Sequence, residues 1–176
     1  MNARAHQDGF SLIELMVTVA IGALLLVLAM PYFGRATRQA TERRVKQQLV
    51  QDFTWARGAA GAADQKSLDP SLASGTPSLT MTINADCTWT TKIGTVTNSA
   101  HSMSSASLAA LLPSGMACAS AASSGLPVGT AIQFLPQGFV LSPGTLIMTG
   151  TALTYQLQVL YSGSVIETHA AAGVES

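Results

Sequence analysis

From Phe10 to Met30 the chain is apolar for 21 residues, with Glu14 as the single charged side chain in the run. At about 1.5 Å per residue a helix of this length spans roughly 30 Å, one hydrocarbon thickness. Pro31 closes the run and is expected to kink or locally open a helix that continues past it. Beyond it the pattern turns amphipathic. Val45, Leu49, Phe53, Ala56 and Ala60 recur at helical spacing and make one apolar stripe. Leu49, Phe53 and Trp55 are the residues expected to bury the stem against a sheet. Arg38–Glu42 and Glu42–Lys46 stand four apart, which predicts ion pairs on the solvated side.

After Ala60 the period shortens to two. Leu79, Met81 and Ile83 alternate with Thr80, Thr82 and Asn84, a half-buried strand. Cys87–Ile93 reads as a second strand. Residues 94–125, rich in Ser, Ala and Gly, read as a long loop with a short helix near Ser105–Leu112. Ala131–Leu135, Gly138–Leu141 and Thr145–Met148 are expected as short strands, parted by Pro-Gln-Gly and Ser-Pro-Gly turns. Leu153–Val159 alternates cleanly, and Ser162-Gly163-Ser164 turns the chain into Val165 and Ile166 to close a hairpin. The expected fold is α+β, a long amino-terminal helix packed on an antiparallel sheet. It divides into a leader (1–9), an apolar helix (10–30), an amphipathic stem (31–60) and a β-rich domain (61–176).

Charge is scarce, at 10% of residues against 48% hydrophobic, which disfavours a cytosolic enzyme. The net charge is zero but unevenly spread: residues 31–62 hold six basic side chains against two acidic, and residues 63–176 two against five. The basic character therefore belongs to the stem. Cys87 and Cys118 make one disulfide if the domain is exported, or two buried free thiols otherwise. His101 and His169 offer no metal-ligand spacing with them, so neither metal nor cofactor is expected.

Three readings of the apolar run compete: a cleaved secretory signal, a permanent membrane helix, and a rod that is first inserted and later packed among copies. Val27-Leu28-Ala29 offers a site to a general signal peptidase. Glu14 argues against that reading. A charge in a membrane helix costs about 2.5–3.5 kcal/mol on insertion scales, and a discarded signal has no use for it.

The segment Gly9-Phe10-Ser11-Leu12-Ile13-Glu14, with its short polar leader, resembles the processing signal of type IV prepilins and pseudopilins. The resemblance covers roughly residues 8–33. It implies cleavage between Gly9 and Phe10 by a prepilin peptidase, methylation of the new Phe10 amine, and pairing of Glu14 with the terminal amine of a neighbouring subunit. It also implies a bacterial inner-membrane protein, single-pass, with a periplasmic domain, later incorporated into a pilus or pseudopilus. Pro31 matches the stem pattern of that family and counts with Glu14 among the assembly residues. Val50–Arg57 resembles, more loosely, the stem end of GspH/FimT/FimU-type minor pilins and pseudopilins. The expected partners are the peptidase, other pilin or pseudopilin subunits, and inner-membrane lipid. One feature runs the other way: Arg35, Arg38, Arg43, Arg44 and Lys46 follow the span, and a positive-inside count would turn the carboxyl side to the cytoplasm.

No catalytic constellation emerges. His101 falls in a Ser/Ala stretch and His169 in the tail, and Asp64 and Asp69 lack the clustered oxygens that calcium needs. The expected role is structural, in priming or tip position; the alternative is the GspH-type pseudopilin of a type II secretion system. Some FimT-type minor pilins bind DNA through a Gly-Arg-x-Arg element in the carboxyl-terminal hairpin. This chain reads Gly163-Ser164-Val165-Ile166 there, followed by Glu167. With both arginines missing, a DNA contact would fall to Arg35, Arg38, Arg43 and Arg44 on the stem.

Overall fold

The structure, a computed structural model, describes residues 11–61, 79–121, 126–135 and 137–168. One helix, α1 (Leu12–Gly61), runs without interruption through Pro31. Eight strands follow: β1 (Leu79–Ile83), β2 (Trp89–Ile93), β3 (Val96–Met103), β4 (Ala117–Ser120), β5 (Ala131–Phe134), β6 (Gly144–Thr149), β7 (Thr154–Val159) and β8 (Val165–Thr168). A short helix, α2 (Ser105–Leu111), sits between β3 and β4, with the Ser104 hydroxyl accepting from the Ser107 amide as its N-cap. The layout is α+β and pilin-like, a long amino-terminal helix on antiparallel sheet. The chain forms two compact units, Met1–Thr37 and Arg38–Ser176.

In the first unit the described helix is exposed along Leu12–Phe33, its large apolar side chains included. It is long and apolar enough to cross a membrane. In the second unit two four-stranded antiparallel sheets share one core, ordered β3-β2-β1-β5 and β4-β6-β7-β8. The stripe foreseen on the stem is the helix side of that core: Val45, Leu49, Phe53, Ala56 and Ala60 are all buried. They meet Leu79, Met81, Ile83 and Trp89 of one sheet and Leu146, Met148, Leu157 and Val159 of the other, in one continuous cluster. Phe53 packs at 58° on Phe134, ring centres 5.8 Å apart.

Several expectations need correction. In the stretch 94–125 the short helix stands where expected, as α2, but the chain on either side of it forms strands β3 and β4 instead of loop. Gly138–Leu141 is not a strand: its only ladder contact is a bridge from Val140 to Phe134. Glu42 and Lys46 are buried, not solvated, and they pair with other elements instead of with each other. Asp64, Asp69 and His169 lie outside the described residues.

Candidate functional site

Two regions carry the functional residues. The first is the head of α1. Glu14 sits in the first turn of the helix, exposed, with apolar neighbours on every side along the chain. Among the described residues of Leu12–Thr37 it has no ion-pair partner. Gly9 and Phe10 lie outside the described residues.

The second region is the polar side of the stem, where each buried charge fixes one element of the domain. Glu42 is fully buried and accepts from the Thr151 hydroxyl (3.1 Å), the Ala152 amide (3.0 Å) and the Leu153 amide (2.9 Å). One carboxylate thus satisfies the β6–β7 turn, which would otherwise bury bare N–H groups against the helix. Gly150 makes room for it, since a Cβ there would lie 2.4 Å from the carboxyl carbon. One turn along, the Lys46 ammonium pairs with Glu167 on β8 and sits 4.9 Å over the Tyr155 ring. Burial, and then the Glu42 carboxylate, push the Tyr155 phenol above its usual value near 10, while Arg43 pulls the other way. The Tyr155 hydroxyl makes no hydrogen bond of good geometry, although Arg43 lies near enough to favour the phenolate.

Asp52 is buried and uses both oxygens. The Trp89 indole donates to one at 2.8 Å, and His101 Nδ1 donates to the other at 2.9 Å. The β2–β3 ladder shifts register between Trp89 and Thr91, and His101 lies in the stretch of β3 that this shift leaves without a ladder partner. The Ser102 hydroxyl accepts from the Thr91 amide and donates to the Asn98 carbonyl, so the shift leaves these backbone groups satisfied. Trp55 stacks flat on the imidazole, 3.8 Å between centres. His101 therefore has the acid that its sequence neighbourhood concealed. Among the described residues no hydroxyl is hydrogen-bonded to the imidazole. An open cleft of about 330 Å³ lies beside it, lined by Arg44, Gln47, Gln48, Gln51, Asp52 and His101.

Arg35, Arg38, Arg43 and Arg44 are all exposed, and Arg44 alone of them borders the cleft. Cys87 and Cys118 form a disulfide, which ties the β1–β2 turn of one sheet to edge strand β4 of the other. The Cys118 amide also donates to the Ala85 carbonyl across the same seam.

The family model for the prokaryotic N-terminal methylation motif matches residues 4–30. The chain carries a type IV pilin-like prepilin signal. No curated protein matches the chain, and no solved structure does. The prepilin signal takes in Gly9, Phe10 and Glu14 together, and it joins directly onto the stem that the domain is built around. It implies processing by prepilin peptidase and assembly with other pilin subunits. Its apolar helix is consistent with a membrane anchor.

Sequence reasoning missed the buried stem charges, yet one signal was present. Glu42 stands three residues before Val45 and so falls on the apolar stripe, where a carboxylate survives only with donors of its own. For His101 no such signal exists, because it lies at a break in the strand ladder.

Proposed function

We propose that this protein is a minor pilin or pseudopilin of the GspH/FimT/FimU type, structural and not catalytic. It is inserted in the inner membrane through residues 10–30, trimmed between Gly9 and Phe10, methylated on Phe10, and assembled at a priming or tip position. Its domain, from about residue 61, then lies in the periplasm. The observation that carries this reading is the methylation motif over residues 4–30, continuous with a helix that runs on to Gly61 as the buried spine of a β-domain. Such a chain suits both requirements of a filament subunit: an exposed apolar rod for packing and a rigid head.

Mass spectrometry of the mature amino terminus tests it. The expected species begins with N-methylated Phe10, and a bulky replacement of Gly9 leaves the precursor untrimmed. A chain that begins after Ala29 would end the proposal, because the rod would be gone. The corresponding pseudopilin of a type II secretion system has the same stem requirements. Neighbouring genes separate the two: other minor pilins and an adhesin on one side, a secretin and secretion ATPase on the other.

A further inference from the structure

Two turns of the domain are locked together back to back. In one, the Gly138 amide donates to the Leu135 carbonyl; in the other, the Gly163 amide donates to the Leu160 carbonyl. Both glycines have positive φ, +79° and +73°. They approach so closely that a Cβ on Gly163 would lie 2.4 Å from the Gly138 carbonyl oxygen. The Arg57 side chain closes the corner. A Cβ on either glycine would meet its aliphatic part within 3.2 Å, and its guanidinium donates to the Ser164 hydroxyl at 3.1 Å.

What this corner presents outward is apolar. Phe139 and Tyr161, one from each turn, stack with ring centres 5.4 Å apart and 28° between planes. Val140 points into the core, so Phe139 and Leu141 face out together. Phe139 is 39% exposed, Leu141 48% and Tyr161 55%. Turn tips are where polar residues sit at least cost, and a contiguous aromatic patch there marks a contact surface. Rings held by interlocked turns lose little freedom on binding, and Tyr with Arg is the composition of interface anchors. Arg57, exposed at the rim of the patch, makes no ion pair among the described residues.

We propose that the Phe139–Tyr161 platform, with Leu141 and Arg57, docks another prepilin-type subunit that places a carboxylate on Arg57 and an apolar side chain on the rings. The inference rests on the filament-subunit reading and adds which face of the domain meets the neighbour. Charge decides the kind of partner. An exposed guanidinium beside an apolar patch favours an acidic–apolar surface and disfavours the arginine-rich stem of a second copy.

The test uses the full-length chain in its native host, with a photo-crosslinking phenylalanine analogue at Tyr161, and at Val96 as an exposed control on β3. Crosslinks from Tyr161 to a different polypeptide bearing a prepilin-type leader, and none from Val96, are expected. In the Tyr161 background, Arg57→Gln should lower the crosslink yield several-fold, and Arg57→Lys should keep most of it. Non-reducing gels for the Cys87–Cys118 bond report folding of each variant. Crosslinks only to a second copy, to lipid or to nothing overturn the platform, as does equal labelling from Val96, even when the amino terminus is correctly trimmed. An untrimmed amino terminus overturns the filament-subunit reading itself, and the platform with it.

Discussion

Glu42 shows how a single residue can hold a domain to its stem. A buried carboxylate is tolerable only when its lone pairs are filled, and here the hydroxyl of Thr151 and the amides of Ala152 and Leu153 fill them. Removing the carboxylate strands those donors in a dry interface. Hydrogen bonds to a charged group contribute about 1.5–3 kcal/mol each, but their loss is shared by one relaxing turn. Glu42→Ala should therefore destabilise the domain by about 3 kcal/mol in a denaturant melt. Gly150→Ala should approach the same loss without touching any charge, because its Cβ would occupy the space of the carboxyl group. If Gly150→Ala were neutral, the turn would not need the carboxylate as described. Lys46 and Asp52 repeat the logic more loosely, each tied to a single strand pair or bulge.

At the scale of elements, legibility followed periodicity. The stripe from Val45 to Ala60, strand β1 and strand β7 are half-buried elements with one polar face, so their side chains alternate at the period of the backbone. Strand β3 was hidden because it is exposed on both faces through most of its length and interrupted by a bulge. Strand β4 was hidden because it has four residues and buries only Cys118. Gly138–Leu141 misled for the opposite reason: Phe139, Val140 and Leu141 have strand chemistry, but two of the three face solvent from a turn. The cysteines show what elements need from covalent chemistry. Strand β4 pairs on one side only, with β6, and the Cys87–Cys118 bond ties it to the other sheet. The two cysteines lie 31 residues apart, and closing a loop of that size is worth about 3.5 kcal/mol on the chain-entropy model. Replacing both cysteines by Ser should lower stability by that order, with protease cleavage appearing first between Ser104 and Ala121. Cleavage confined to other segments would show that β4 does not depend on the bond.

For the whole molecule, Glu14 carries two opposed effects that one substitution separates. While the helix lies in lipid, the carboxylate is a liability of about 2.5–3.5 kcal/mol. In a packed filament it becomes an asset if a neighbour supplies the counter-charge, since an ion pair in a dry interior is favourable once both members are already desolvated. Among the described residues no cation pairs with Glu14, and the resemblance to prepilins implies the terminal amine of a neighbouring subunit as its counter-charge. Glu14→Ala should therefore move the two populations in opposite directions: as much or more protein in the membrane fraction, correctly trimmed, and at least tenfold less in sheared filaments. Immunoblots of the two fractions from one culture measure both. A general folding defect would lower both fractions together, and a residue with no role would change neither. Only the crossed pattern fits a charge that hinders the subunit alone and helps it among its neighbours.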